Sequence, residues 1–164
     1  MSEIPAEVRE KIEAARKQQL KELDLSYGNL TSIPPEVFRL EHLERLDLDW
    51  NEISEIPPTI ERLRNLKHLY LDFNRITAVP SSIGQLQNLE ILHLYGFAPI
   101  SLPQEIGQLS RLTELSVGRL AEVPEISICL PCWRACSELL VRAWRGRLGG
   151  RLSQRHDWEE LSIP

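Results

Sequence analysis

Apolar residues return along the chain with a period of 23. Leu20, Leu23, Leu25, Leu30, Ile33, Val37 and Leu40 are followed by Leu43, Leu46, Leu48, Ile53, Ile56, Ile60 and Leu63. A third unit gives Leu66, Leu69, Leu71, Ile76, Val79, Ile83 and Leu86. The fourth gives Leu89, Leu92, Leu94, Leu102, Ile106 and Leu109, with Pro99 standing where one apolar residue is due. A proline holds one phase throughout, as Pro34, Pro57, Pro80 and Pro103. Within each Leu-x-x-Leu-x-Leu the alternation has the period of two that a strand requires, with leucines inward and the intervening side chains outward. Proline donates no N–H and fixes its φ angle, so it suits a return path that leaves the sheet. One such unit cannot bury its apolar face alone; stacked neighbours can. The expectation is an α/β solenoid, curved, with a parallel sheet on its concave face.

The stretches Leu-Asp-Leu-Asp-Trp-Asn-Glu-Ile (46–53) and Leu-Tyr-Leu-Asp-Phe-Asn-Arg-Ile (69–76) resemble the leucine-rich repeat pattern L-x-x-L-x-L-x-x-N-x-L. The Ile-Pro-x-x-Ile second half is similar to the intracellular repeats that precede Roco-type GTPases and to those of Ras-group scaffold proteins. The resemblance covers roughly residues 20–124. It implies a repeat scaffold that acts by binding another protein in signalling. Asn51 and Asn74 take the family's asparagine position, where a buried amide must hydrogen-bond backbone groups of the turn. Gly28, Phe97 and Leu120 hold that phase in the other units, so the middle pair is the most regular.

The ends need caps, because a solenoid's terminal coils expose apolar surface. Residues 1–19 carry one candidate: Pro5 suits a first helical turn, and Val8, Ile12 and Ala15 fall at helical spacing. Repeats are expected over 20–126, four regular and a fifth, from Leu112, that degenerates as Pro124 arrives two residues early. Composition then shifts. Residues 127–164 hold all three cysteines, three of the four tryptophans and six arginines against four acids. A C-terminal cap, a disordered tail, and a helix for a membrane surface or a partner are the alternatives for this segment.

A net charge of −5 speaks against a nucleic-acid footprint. No run approaches the ~20 apolar residues of a membrane span, and the start lacks the basic and apolar regions of a signal peptide. With only Cys129, Cys132 and Cys136, no disulfide framework is implied. These features point to the cytoplasm, with no membrane, nucleic-acid or cofactor partner; oligomeric state is left open.

Chemistry is sparse. No phosphate-binding G-x-x-x-x-G-K-[ST] loop is present, so any kinship with repeat-bearing GTPases excludes the GTPase itself. The three cysteines fall one ligand short of a closed zinc site, and His156 is distant. His93 beside Ser116 has the form of a base and a nucleophile, but Tyr70 occupies the place of an orienting acid. A hydrolase or metal-binding protein built on His93 or the cysteines is one alternative to an interaction module. A non-functional truncated fragment of a larger signalling protein is another.

The outward positions are the informative ones. Register should align Asp24, Asp47, Tyr70, His93 and Ser116 in one row. Asp24, Asp47, Asp49 and Asp72 form an acidic patch; beside it run Tyr27, Trp50 and Phe73, with Tyr70 and Tyr95 close by. Aromatic rings beside charges are the composition of an interface centre. Mutually repelling carboxylates favour a cationic ligand, so the expected partner is a protein presenting a Lys- or Arg-bearing segment. The competing reading tucks the aromatics into the turn that ends each strand.

Overall fold

The computed structural model describes residues 4–96 and 98–118. Helix α1 (Ala6–Gln18) opens the chain, followed by five short strands: β1 (Glu22–Asp24), β2 (Arg45–Asp47), β3 (His68–Tyr70), β4 (Ile91–Leu94) and β5 (Glu114–Val117). They form one parallel sheet in sequence order. A 3-10 turn lies between each pair: Pro35–Arg39, Pro58–Arg62, Ser81–Gln85 and Gln104–Gln108. This is the parallel-sheet solenoid expected from the 23-residue period, with its N-terminal helix.

The proline phase has a local cause. Each of Pro34, Pro57, Pro80 and Pro103 accepts a hydrogen bond from the N–H three residues on, at Val37, Ile60, Ile83 and Ile106. It opens the 3-10 turn as an acceptor only, so the missing N–H costs nothing. The bond closes the turn that delivers Val37, Ile60, Ile83 and Ile106 into the core, all at most 4% exposed.

The leucine phases fill a continuous core from Val8 to Val117. Two positions depart from the sequence reading. Leu20 is 39% exposed, not inward. Gln19 ends α1 in the left-handed conformation and the Leu20 N–H returns to Ala15 O, so Leu20 belongs to the exit from the cap. In the fourth coil Ile100, 2% exposed, takes the apolar place that strict counting gave to Pro99. The coil carries one extra residue before that point and recovers its phase by Leu102, where an isolated bridge joins Ala78 to Ser101.

The asparagine phase explains the first coil's glycine. Asn51 Oδ1 accepts the Leu30 N–H (3.0 Å), and Nδ2 donates to the carbonyls of Leu25 (3.0 Å), Leu48 (2.9 Å) and Asp49 (3.2 Å). Asn74 repeats this one coil on, with Ile53 N–H, Leu48 O, Leu71 O and Asp72 O. Each amide reaches back to the coil before it. The first coil has only α1 before it, and a Cβ on Gly28 would lie 3.2 Å from Val8 Cγ2. Glycine there lets the cap helix close down. Phe97 and Leu120, the other residues of this phase, and the whole of 127–164 lie outside the described residues.

Candidate functional site

The sheet's outward face is built by register. Asp24 pairs with Asp47, Asp47 with Tyr70, Tyr70 with His93 and His93 with Ser116, the row that the period implied. A parallel row runs Glu22, Arg45, His68, Ile91 and Glu114. Among these described strand positions and the adjoining Asp49 and Asp72, six carboxylates face one guanidinium, that of Arg45. Arg45 already shows how the face holds a cation: its guanidinium carbon sits 4.6 Å from the Tyr70 ring centre, and Nη2 lies 3.7 Å from Asp47 Oδ2.

The carboxylates also have structural work that the sequence reading had not assigned. Asp24 Oδ1 accepts from the Ser26 N–H (2.9 Å) and hydroxyl (2.6 Å). Asp47 Oδ1 accepts the Asp49 N–H (3.1 Å). Asp49 and Asp72 reach one coil forward, to the N–H groups of Asp72 (2.7 Å) and Tyr95 (2.6 Å). These bonds tie the strand ends together where the chain turns away from the sheet.

Asp49 and Asp72 are half-buried, and burial pushes both carboxyls up, Asp49 to about 6. At Asp49 the neighbouring charges of Asp47 and Asp72 add to that shift, against the bond from the Asp72 N–H and the field of His93. Asp24, more open, is lowered: its own burial opposes ionisation, and the two Ser26 bonds with Lys11 and Arg45 outweigh it.

A stability prediction follows for Asp49. Its folded value lies above that of the unfolded chain, so the folded state binds the extra proton between about 4 and about 6. The group therefore costs stability above pH 6 and ceases to cost it below the unfolded value. Asp49→Asn keeps the acceptor for the Asp72 N–H and removes the charge. The variant should be more stable at pH 7.5 by about 1 kcal/mol, a figure already reduced for solvent screening of a half-open site. The gain in Tm should shrink on acidification and vanish by about pH 4. Paired thermal melts across that range measure it; a constant difference would contradict the assignment.

His93 is held from two sides. Nε2 lies 2.7 Å from Glu114 Oε1, Nδ1 lies 3.6 Å from Asp72 Oδ2, and the ring meets Tyr70 edge-on at 5.1 Å. The imidazole nitrogen that a nucleophile would need is thus directed to Glu114, a residue the sequence reading passed over. Its phase, 23 beyond Ile91, was the available signal.

The aromatic row is one stack. Tyr27 and Trp50 rings lie 5.7 Å apart at 7°, Trp50 and Phe73 4.0 Å apart at 18°, and Tyr95 closes the row against Phe73 at 5.6 Å and 65°. Tyr27, Trp50 and Phe73 all have left-handed backbones, with φ of 55°, 55° and 56°. Such a conformation is unfavourable for bulky residues and needs a compensating contact. Stacking supplies one, while the N–H groups still bond to Asp49, Asp72 and Tyr95 carbonyls in the next coil. Yet Tyr27 stays 69% exposed, Trp50 46% and Tyr95 42%. Tyr27, Trp50 and Tyr95 are thus packed against neighbouring rings and still open to water.

Two further ladders escaped the sequence reading. Lys21 and Lys67 grip Glu44 from the coils on either side, which holds that carboxyl down at about 2. Asn65 and Asn88 donate to Glu41 O (2.8 Å) and Arg64 O (2.9 Å), one coil back.

Among the described residues, no helix is long and apolar enough to cross a membrane. The repeat, the asparagine ladder and the parallel sheet define a class. A family model for a leucine-rich repeat region matches residues 13–118, and the chain belongs to that family. Among solved structures, a leucine-rich repeat protein of Leptospira interrogans is 40% identical, with a TM-score of 0.57, over 63% of this chain and 26% of its own. The ectodomain of the receptor kinase GASSHO1/SCHENGEN3 of Arabidopsis thaliana, solved in complex with Casparian strip integrity factor 2, is 37% identical with a TM-score of 0.57. There the match covers 66% of this chain and 14% of the receptor. An internalin of Listeria monocytogenes, 24% identical over 71% of this chain and 33% of its own, shares the fold at a TM-score of 0.60. The chain thus spans about a quarter or less of the first two. No protein with a curated description matches it.

Proposed function

We propose that the protein is an interaction module whose concave sheet face captures a Lys- or Arg-bearing segment of a partner protein. The observation that carries this reading is the Asp49–Asp72 pair, half-buried, repelling at Asp49 and flanked by exposed Trp50 and Tyr95. A cation seated there relieves repulsion already present in the free protein, and the adjoining rings add apolar area at small entropic cost. The binding residues are Asp24, Tyr27, Asp47, Asp49, Trp50, Tyr70, Asp72, Phe73, His93 and Tyr95. The Arg45–Tyr70–Asp47 contact is the internal precedent for the chemistry. The related receptor ectodomain, solved with a bound partner named as an integrity factor, supports partner recognition as the mode of action. Within the family we place the chain nearest the intracellular repeats of Roco-type and Ras-group proteins, acting in the cytoplasm as a scaffold or adaptor, on the strength of its Ile-Pro-x-x-Ile units.

The test is an array of short peptides of equal length and graded charge. Binding should rise with Arg and Lys content and fall with salt; preference for neutral or acidic peptides contradicts the reading. Trp50→Ala should weaken the best binder by roughly 10- to 30-fold, the loss expected of an aromatic anchor. An unchanged affinity would remove the ring stack from the site.

A further inference from the structure

The place over Tyr70 is more firmly built than the side chain that fills it. Asp47 is fixed through Oδ1, which accepts the Asp49 N–H at 3.1 Å, and Oδ2 is the oxygen turned to Arg45. Tyr70 is steadied from β4, where the His93 ring meets it at 89° and is itself held 2.7 Å from Glu114 Oε1. Arg45 lacks such support. Its register partners are Glu22 and His68, and its guanidinium leaves that row diagonally to lie over the Tyr70 ring. Among the described residues no hydrogen bond ties the guanidinium there: the Asp47 contact is 3.7 Å long, and the side chain is 41% exposed. A long, open ion pair adds little to stability, and a cation over an exposed ring adds little more. The seat is rigid and its occupant is loose.

We infer that Asp47 and Tyr70 form a guanidinium seat, which Arg45 occupies in the free protein and which an arginine of the partner takes over as Arg45 swings out. The inference rests on the reading of this face as a receiver of basic segments, and it names the residue that gates it. Arginine suits the seat better than lysine, because a flat guanidinium lies on a ring while its edge meets a carboxylate. Only molecules with Arg45 swung out receive the ligand, so the apparent affinity is reduced by the fraction of molecules in that state. With Arg45 held only by the ring and the long ion pair, the reduction is about 5- to 10-fold.

The experiment uses the full chain with a blocked hexapeptide of alternating glycine and isotope-labelled arginine, and its lysine counterpart. In the free protein the side-chain proton signals of Arg45 should lie upfield, shifted by the ring current of Tyr70. At saturating arginine peptide they should return downfield while the peptide's own arginine signals move upfield in their place. Arg45→Ala should tighten binding of the arginine peptide by about 5- to 10-fold, the opposite sign to Trp50→Ala. The ratio should persist in about 0.5 M salt, where repulsion between exposed cations is screened. The lysine peptide should bind the parent chain more weakly. Four results overturn the inference: Arg45 signals unshifted in the free chain, Arg45 still upfield at saturation, a gain from Arg45→Ala that is absent or confined to low salt, or equal affinity for the two peptides. Peptide bound on the face with Arg45 still seated leaves the receiver of basic segments standing and removes only the gate. If neither the parent chain nor Arg45→Ala binds either peptide, the proposed function falls as well.

Discussion

Asn51→Ala should cost about 3–5 kcal/mol of stability, a large part of what a domain of this size possesses. Asn51 is 6% exposed, and its amide serves Leu30 N–H and the carbonyls of Leu25, Leu48 and Asp49. Alanine replaces none of these bonds, and water cannot reach the vacated groups without opening the seam between coils. The penalty is therefore desolvation of orphaned backbone groups, not the modest net worth of a hydrogen bond. Tm should fall by roughly 10 °C or more. The exposed Asn65 is the internal control: it makes one bond, to Glu41 O at 2.8 Å, with water as a ready substitute, so Asn65→Ala should cost below about 1 kcal/mol. Chemical denaturation of the two variants beside the parent measures the contrast. Equal losses would mean that the buried ladder is not what joins the coils.

The second large effect concerns binding, and its sign is opposed to that on stability. Asp49→Asn combined with Asp72→Asn keeps both acceptors for the Asp72 and Tyr95 N–H groups, because an amide oxygen replaces a carboxylate oxygen in place. Both charges disappear. Affinity for an arginine-bearing peptide should fall by about 30- to 100-fold, the loss of two close charge pairs at a partly desolvated interface. Stability at neutral pH should rise, since two half-buried, repelling carboxylates are removed. A residue kept only for folding would lose stability and leave capture untouched. A residue kept for binding does the opposite, a trade seen where function needs a destabilised site. Titration calorimetry with thermal melts on the same preparations separates the cases.

Much of this architecture was legible because a solenoid repeats its physics. Once Leu46 and Leu69 share a phase, their inward direction and their lateral pairing follow from the period alone, and so does the row of Asp24, Asp47, Tyr70, His93 and Ser116. Asn51 and Asn74 were legible as buried amides because no polar group stands at that phase without backbone partners. What escaped was what the period does not encode. Leu20 has a core phase but sits at the exit of α1, where no earlier coil covers it. Ile100 displaces Pro99 because the extra residue in the fourth coil shifts the count, which strict periodicity cannot anticipate.

The aromatic row and the aspartates illustrate a second limit. Outward position left Tyr27, Trp50 and Phe73 between an interface and a place tucked into the turn, and nothing in residue type announced three left-handed backbones in one ring stack. Asp49 and Asp72 carry two duties at once, each capping an N–H group of the next coil with one oxygen while remaining half-open to solvent. Glu114 and the Lys21–Glu44–Lys67 ladder were available to a reading of every phase, since they too recur 23 residues apart, as does Asn65–Asn88.

The most direct measurement of the central claim is chemical-shift mapping of the full chain with an arginine-rich peptide that the charge array selects. The account predicts shifts grouped on Trp50, Tyr70, Asp72, His93 and Tyr95, weakening together as salt is raised. Shifts on the 3-10 turns at Pro58–Arg62 and Ser81–Gln85, or none at saturating peptide, would contradict it.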